Sequence, residues 1–219
     1  MRRYGAFLVI LILATVLMSS VADAAIRRVA ARYNLVNFYG GYASPWGEYN
    51  EIGLVRFVDE LDRPVNIDAD EAFDGTFYVG FDYGTLWTRN VQFMLGFRFT
   101  DHQVQDWIFE SSEEFNYRQY DVEFNLNFYP IDITQNPLSP YVGVGFQAGL
   151  LSTEVEGFDN ESDIKLAGSV NFGADFKVYE APGGRSFITL ASMNNFNVIA
   201  SDDRPKYLNI GGALRYWFR

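Results

Sequence analysis

Residues 119–129 read QYDVEFNLNFY, and this stretch decides the fold class. Every second position is apolar, namely Tyr120, Val122, Phe124, Leu126 and Phe128. Glutamine, asparagine and carboxylate side chains occupy most positions between them. Because side chains of a β-strand point alternately to its two faces, one face is apolar and the other polar. A strand of a soluble sandwich alternates in the same way, so the number and length of such segments must decide between the two folds.

Seven further segments alternate with the same period of two. They cover residues 34–43, 75–84, 91–100, 141–150, 165–178, 187–193 and 206–218. The alternation is weak in residues 187–193, so the sequence leaves the faces of that strand unassigned. Eight is an even number, and most segments are close to the ~9–11 residues of a membrane-spanning strand. The pattern predicts an all-β chain that forms an eight-stranded antiparallel up-and-down transmembrane β-barrel, with apolar side chains outside and polar ones inside.

The connections alternate in length, which is an independent indication of a barrel. Long polar connections cover residues 44–72, 101–116, 152–163 and 194–205, and shorter ones cover 85–90, 131–139 and 179–186. Pro137, Pro140 and the Pro182-Gly183-Gly184 group mark two of the shorter ones as turns. Outer-membrane barrels place short turns in the periplasm and long loops outside. Both ends of the mature chain are therefore expected in the periplasm.

The first 24 residues have the pattern of an export signal. Arg2 and Arg3 precede an apolar run over residues 6–18, and Ala22-Asp23-Ala24 fits the small-x-small pattern of a cleavage site. The run is shorter than the ~18–20 apolar residues of a spanning helix, which disfavours the alternative of a retained anchor. The sequence predicts a cleaved signal peptide over residues 1–24 and a barrel domain over residues 25–219.

Composition excludes several classes of protein. The 219 residues include no cysteine, 17 basic and 28 acidic side chains, which excludes a disulfide scaffold, a zinc–thiolate site and a basic nucleic-acid-binding surface. The mean hydropathy of -0.08 is too low for a helical membrane bundle, although 17% of the residues are aromatic.

Three motifs resemble those of a known family. They are Phe38-Tyr39-Gly40-Gly41-Tyr42, Ser139-Pro140-Tyr141-Val142-Gly143-Val144-Gly145 and Leu214-Arg215-Tyr216-Trp217-Phe218, with Arg219 after the last aromatic. With them, the sequence resembles the small eight-stranded outer-membrane barrels of the OmpA transmembrane domain and OmpX type, over nearly the whole mature chain. The resemblance implies a monomer in the bacterial outer membrane, inserted by the barrel-assembly machinery and surrounded by lipids and lipopolysaccharide. It also implies adhesion or binding of an extracellular ligand through the long loops.

The inward-facing rows predict a filled interior. Large side chains such as Tyr78, Met94, Arg98, Tyr129 and Trp217 point into a barrel that is only wide enough for its own side chains. The inward glycines are expected to relieve crowding; they are Gly80, Gly96, Gly143, Gly145, Gly173 and Gly211. A packed interior that is not an open pore is expected, with a narrow small-solute channel as an alternative.

Eight charged residues point inward: Asp82, Arg98, Asp121, Glu123, Lys165, Asp175, Lys177 and Arg215. Charges in a low-dielectric interior need partners, so a mutual network of ion pairs is favoured over a catalytic cluster or a pathway. Arg98 and Arg215 are the expected hubs because a guanidinium bridges two carboxylates readily.

A lipid-modifying enzyme of the outer leaflet, similar to a lipid A deacylase, is the alternative function. The sole histidine, His102, is expected at the outer end of the third strand, but Gln103-Val104-Gln105 follows it, so the deacylase family's His-x-Ser arrangement is missing. Ser111 and Ser112 lie on the next loop. No catalytic residue, cofactor or metal site is therefore predicted.

The acidic loops are expected to be solvated and loosely bridged by divalent cations near lipopolysaccharide. Their acidic residues are Asp59, Glu60, Asp62, Asp68, Asp70 and Glu71 in the first loop and Glu154, Glu156, Asp159, Glu161 and Asp163 in the third. Aromatic residues near the strand ends are expected to form girdles, with Trp46, Tyr49, Trp107, Phe109 and Tyr117 outside and Trp87 on the periplasmic side.

Overall fold

A computed structural model describes residues 33–49, 51–52, 55–56, 67–68, 75–103, 115–155, 161–200 and 206–219. Eight long strands follow each other along the chain: β1 Asn34–Trp46, β2 Thr76–Leu86, β3 Val91–Gln103, β4 Phe115–Phe128, β5 Leu138–Val155, β6 Glu161–Glu180, β7 Ser186–Ala200 and β8 Lys206–Phe218. Each strand pairs with its chain neighbours, and β8 pairs with β1, so the sheet closes. All eight pairings are antiparallel. The predicted eight-stranded up-and-down barrel is confirmed.

Two short hairpin-like pairs occur in the connection between β1 and β2. Glu48–Tyr49 pairs with Ile67–Asp68, and Glu51–Ile52 pairs with Val55–Arg56. We call this end of the barrel the long-loop end, and the opposite end, with connections 87–90, 129–137 and 181–185, the short-turn end. Among the described residues, no helix is long and apolar enough to cross a membrane. The predicted signal peptide lies outside the described residues and stays a prediction.

The two faces of the wall have the predicted composition. In β4, Phe124 is 44% exposed on the outer face, whereas Asp121 is fully buried inside. The faces of β7, which the sequence left unassigned, are now clear: Phe187, Thr189 and Ala191 point inward, and Leu190 points outward. The barrel therefore has an apolar outside and a polar, largely buried inside, which suits a hydrocarbon environment.

The strands are longer than predicted at the long-loop end. Residues 44–46, 101–103, 115–118, 152–155, 161–164 and 194–200 belong to strands, although the sequence assigned most of them to loops. In β7 a β-bulge contributes to the difference, because the register shifts between Gly168 and Ser169, opposite residues 197–199, and interrupts the alternation. At the short-turn end, residues 85–86, 138–140 and 179–180 also extend strands. Pro140 thus lies near the start of β5, where its missing N–H disturbs the ladder least, and not in a turn.

Candidate functional site

An apolar cluster closes the barrel at the short-turn end. We call it the short-turn plug; its buried members are Tyr33, Leu35, Leu86, Met94, Tyr129, Ile133, Tyr141, Phe187 and Trp217. The rings of Phe187 and Trp217 stack with their centroids 5.4 Å apart. Unlike the other members, Ile133 comes from the middle of a connection, the turn 129–137, and it is only 1% exposed. The turn therefore folds inward and fills the mouth of the barrel.

Hydrogen bonds hold this turn in place. The carboxylate Oδ1 of Asp132 accepts bonds from the backbone N of Thr134 at 2.9 Å and from its hydroxyl at 2.6 Å. The backbone oxygen of Asp132 accepts from the N atoms of Gln135 and Asn136, both at 3.2 Å. Lys177 Nζ donates to the backbone oxygen of Thr134 at 2.8 Å and approaches Glu180 Oε2 at 2.9 Å. Lys177 thus connects the turn 129–137 to the end of β6. It does not belong to the interior charge network that the sequence predicted for it.

Directly above the plug lies the Arg215 cluster, which consists of Arg215, Asp175, Tyr129, Tyr141 and Thr189. Arg215 Nη1 contacts Asp175 Oδ2 at 2.5 Å and donates to the Tyr129 hydroxyl at 2.9 Å. The Tyr129 hydroxyl donates to Asp175 Oδ2 at 2.7 Å, and the Thr189 hydroxyl donates to Asp175 Oδ1 at 2.6 Å. Arg215 Nη2 points to the Tyr141 hydroxyl at 3.4 Å. Both oxygens of a buried carboxylate are thereby satisfied by side chains from three strands or their ends, β8, β7 and the residue after β4.

The Arg98 cluster lies nearer the long-loop end. Arg98 bridges two carboxylates, with Nη2 at 2.9 Å from Asp121 Oδ2 and Nη1 at 3.1 Å from Glu123 Oε1. Gln147 Nε2 donates to Glu123 Oε1 at 3.0 Å, and the Tyr39 hydroxyl donates to Glu123 Oε2 at 3.0 Å from the other side of the barrel. The predicted hub role of Arg98 is confirmed. In the described structure Arg215 differs from the prediction, because its second and third partners are tyrosine hydroxyls and not a second carboxylate.

Between the levels of the two clusters, a chain of hydrogen-bonded asparagine side chains links several strands. Asn171 Nδ2 donates to Asn125 Oδ1 at 2.8 Å, and Asn195 Nδ2 donates to Asn171 Oδ1 at 2.6 Å. Asn209 Nδ2 continues the chain to Asn195 Oδ1 at 3.2 Å. The first of these bonds joins β6 to β4, which are not neighbours, and the other two join the neighbouring pairs β6–β7 and β7–β8. Sequence reasoning missed it, since only the register brings these amides to one level.

The remaining buried acid, Asp82, is held differently. Asn37 Nδ2 donates to Asp82 Oδ2 at 2.7 Å, and the carboxylate lies over Gly96. A Cβ on Gly96 would overlap this carboxylate, and one on Gly80 would overlap the ring of Tyr39. The expectation that inward glycines relieve crowding is confirmed at these positions.

Little empty space remains inside the described barrel. An internal cavity of about 20 Å³ is lined by Arg98, Glu123, Asn125, Asn171 and Asn209 among others. That volume holds about one water molecule. The side chains around this cavity can therefore stabilise and rigidify the barrel wall.

The other residues singled out in the sequence lie at the barrel ends. His102 is at the long-loop end of β3, where its backbone pairs with Tyr117. Ser111 and Ser112 lie outside the described residues, as do Trp107, Phe109 and the acidic positions except Asp68, Glu154, Glu161 and Asp163. In the described ranges, no group of three or more histidine or acidic side chains could hold a metal ion.

The aromatic residues at the two ends also have defined places. The Trp46 ring stacks on Phe196 with centroids 4.5 Å apart at the long-loop end. Trp87 is 59% exposed in the short turn after β2, with its ring 5.3 Å from that of Phe93. Both positions agree with the predicted girdles. Tyr49 and Tyr117 belong to strands at the long-loop end.

Comparison with known proteins identifies the family to which the fold belongs. Residues 9–216 match the family model of the outer membrane protein beta-barrel domain. OprG from Pseudomonas aeruginosa is 11% identical with a TM-score of 0.53, over 85% of this chain and 96% of OprG. Neisserial surface protein A is 13% identical with a TM-score of 0.48, over 85% and 96% of the two chains. Ail, the attachment invasion locus protein of Yersinia pestis, is 16% identical with a TM-score of 0.42, over 85% and 98%. No curated protein sequence matches the chain significantly.

Proposed function

The chain belongs to the family of outer membrane protein beta-barrel domains, and we propose that this barrel of the bacterial outer membrane has a structural or surface-interaction role, similar to adhesion. Its barrel acts as a closed, monomeric anchor that the barrel-assembly machinery inserts, and its long loops make the contacts outside the cell. Solute transport and catalysis are the two alternatives that this proposal sets aside.

The filled interior is the observation that carries the proposal. The short-turn plug closes one end, the Arg215 and Arg98 clusters cross the barrel above it, and the internal cavity measures about 20 Å³. Removing these charges from one another would be costly, because each is buried and paired. A barrel built in this way is rigid and closed, so its loops and outer wall are the surfaces left for interaction.

The charge of the loops indicates the chemistry of a partner. The connections at the long-loop end, residues 47–75, 104–114, 156–160 and 201–205, contain 17 acidic and 3 basic side chains, hence a net charge of −14. The connections at the short-turn end contain 1 acidic and 2 basic side chains. Because long loops of outer-membrane barrels face outside, the exposed surface is strongly acidic. A basic peptide or protein surface is the partner that such a field attracts.

The test uses cells that display the full chain in their outer membrane, with poly-lysine as the probe. Neutralising Asp59→Asn, Glu60→Gln and Asp62→Asn together is expected to weaken binding severalfold, and added salt should weaken it further. Arg63→Gln, a neutralisation of the opposite sign in the same connection, should preserve or increase binding. Equal binding by all three proteins would contradict the proposal.

Conductance separates the proposed anchor from a narrow channel. In planar bilayers, the protein that migrates as folded in unboiled gels should give no regular current steps. Reproducible steps from that folded form would overturn the closed-barrel proposal and favour the small-solute channel.

Lipid analysis separates it from an enzyme. We propose that the chain has no catalytic residue, cofactor or metal site, so lipid A from cells expressing the wild type and His102→Ala should have the same mass spectrum. A lipid A species that requires His102 would identify an enzyme instead.

A further inference from the structure

Asp82 is a buried acid without a cationic partner. It points into the barrel from β2 and is fully shielded from solvent. The buried charged residues of the described chain are two arginines, Arg98 and Arg215, and four acids, Asp82, Asp121, Glu123 and Asp175. Both arginines form ion pairs with the other three acids. Asp82 is therefore the one acid of this set that neither guanidinium contacts.

Hydrogen bonding leaves the same carboxyl group half satisfied. Asn37, its register partner on β1, donates from Nδ2 to Asp82 Oδ2 at 2.7 Å. The other carboxyl oxygen, Oδ1, receives no hydrogen bond from any described residue, and the amide oxygen of Asn37 receives none either. Asp82 Oδ1 lies against Gly96 of β3, at the place that a Cβ would occupy. Because the side chain is fully enclosed, a water molecule has no room to supply the missing donor.

The groups around Asp82 do not balance a negative charge by contact. The charged groups that face it within the described barrel are Glu123 from β4, Arg98 from β3 and Arg215 from β8. Glu123 would repel a second carboxylate, and both arginines are engaged with other acids. Tyr39, the titratable neighbour on β1, directs its hydroxyl to Glu123. An ionised carboxylate is costly to bury without a cation or a full set of donors.

We propose that Asp82 is a proton-binding site, which the folded barrel keeps in its neutral, protonated form at neutral pH. The proton comes from the solvent and bonds to a carboxyl oxygen, so the charge without a partner disappears. The new hydroxyl also brings a donor to a pair of side chains, Asp82 and Asn37, that has two acceptor oxygens without one. A metal ion would need several oxygen ligands and more space, whereas Gly96 covers Oδ1. The proposal does not depend on what the long loops bind.

A proton held by the folded barrel makes the stability fall as the pH rises. Below about pH 4, Asp82 carries a proton in the folded and the unfolded chain, so its contribution is constant. Above that pH the unfolded chain releases the proton and the folded barrel keeps it. This one group should then raise the unfolding equilibrium constant about tenfold per pH unit, until the folded barrel also releases the proton.

Infrared spectroscopy of the folded full chain in lipid vesicles tests for the proton directly. A protonated carboxyl group has a C=O stretching band that a carboxylate lacks. The wild type should show this band at neutral pH, and labelling the aspartates with carbon-13 should shift it. Asp82→Asn should abolish the band. Asp101→Asn, which removes a carboxylate with 51% of its side chain exposed, should retain it.

Urea unfolding at several pH values tests the linked stability. The unfolding constant of the wild type, divided by that of Asp82→Asn, should rise about tenfold per pH unit above about pH 4. The other acids are present in both proteins, so the ratio isolates the contribution of Asp82. The ratio between the wild type and Asp101→Asn should stay nearly constant over the same range.

Heat-modifiable gel migration first reports whether each variant forms the closed barrel. Failure of Asp82→Asn to fold would overturn the proposal, because a neutral side chain of the same shape should fit where a neutral acid fits. A wild type without the labelled band, a band that persists in Asp82→Asn, or a pH-independent ratio of unfolding constants would overturn it as well. Stabilisation of the wild type alone by sodium ions would assign a cation to the site instead. None of these results depends on whether the loops bind poly-lysine.

Discussion

Arg215 and Asp175 form an ion pair across two strands of the barrel, with 2.5 Å between Nη1 and Oδ2 and with both side chains fully shielded from solvent. β7 lies between β8 and β6, so the pair connects strands that share no backbone hydrogen bonds. Such a pair resists any change of barrel cross-section, since separation would leave two buried charges without partners.

Asp175→Asn should therefore destabilise the barrel strongly. The uncompensated guanidinium is expected to lower the free energy of unfolding by about 3–5 kcal/mol, measured by urea titration in detergent micelles. Arg89→Gln is the control, because Arg89 Nη1 lies 3.6 Å from Asp132 Oδ2 with 53% of the arginine side chain exposed. An exposed pair of this kind contributes about 0–1 kcal/mol. Similar stabilities of the two variants would refute the structural role of the Arg215 cluster.

The turn 129–137 offers a matched pair of isoleucines for testing the short-turn plug. Ile133 is 1% exposed, whereas Ile131, two residues earlier, is 41% exposed. Ile133→Asp places a carboxylate among apolar side chains. It should lower the free energy of unfolding by about 3 kcal/mol or more. Ile131→Asp should change the unfolding free energy by less than about 0.5 kcal/mol. The prediction fails if the two substitutions have equal effects on urea unfolding.

The inward glycines can be tested through their close contacts. Gly96→Val must displace the Asp82 carboxylate and the Phe81 backbone oxygen. The overpacking is expected to cost about 1–3 kcal/mol, visible as a lower temperature for loss of heat-modifiable migration. Gly168→Val, on the outer face with space around it, should stay close to the wild type. A tolerated valine at position 96 would show that the interior is less densely packed than described.

An outward-facing arginine should destabilise the barrel more at the centre of the membrane than near its edge. Leu95 is 59% exposed in the central part of β3, and Ile164 is 69% exposed near the long-loop end of β6. In lipid vesicles Leu95→Arg should lower the free energy of unfolding by about 2–4 kcal/mol, and Ile164→Arg should lower it by about 0–1 kcal/mol. Reversed or equal costs would place the hydrocarbon core elsewhere on the wall.

The strand cores could be predicted from the sequence, but their ends could not. Period-two alternation identifies β4 because one face meets lipid and the other a polar interior. Residues 194–200 alternate only in part, because Asn194 and Ile199 interrupt the pattern, and residues 152–155 are mostly polar. Their strand conformation comes from pairing with neighbours, which a single sequence does not reveal.

The interior contacts were predictable only between adjacent strands. Arg98 and Asp121 are direct register partners on β3 and β4, so their pairing follows from facing inward at the same level. The Arg215 cluster depends on Tyr129, which stands just after β4 and reaches across the barrel. The burial of Ile133 could not be predicted either, because nothing in Ile131-Asp132-Ile133 distinguishes the buried isoleucine from the exposed one.

The eight strands differ in length, so their long-loop ends extend to different heights at the cell surface. β5 and β6 have 18 and 20 residues, whereas β2 has 11. At ~3.3 Å per residue and a tilt of about 40°, β5 rises roughly 45 Å along the membrane normal, against an apolar band of about 25 Å. The paired ends of β5 and β6, as far as Thr153 and Glu161, therefore extend beyond the bilayer as a two-stranded ribbon. An antibody or a bacteriophage would meet a conformational epitope there, and boiling the protein would destroy that epitope.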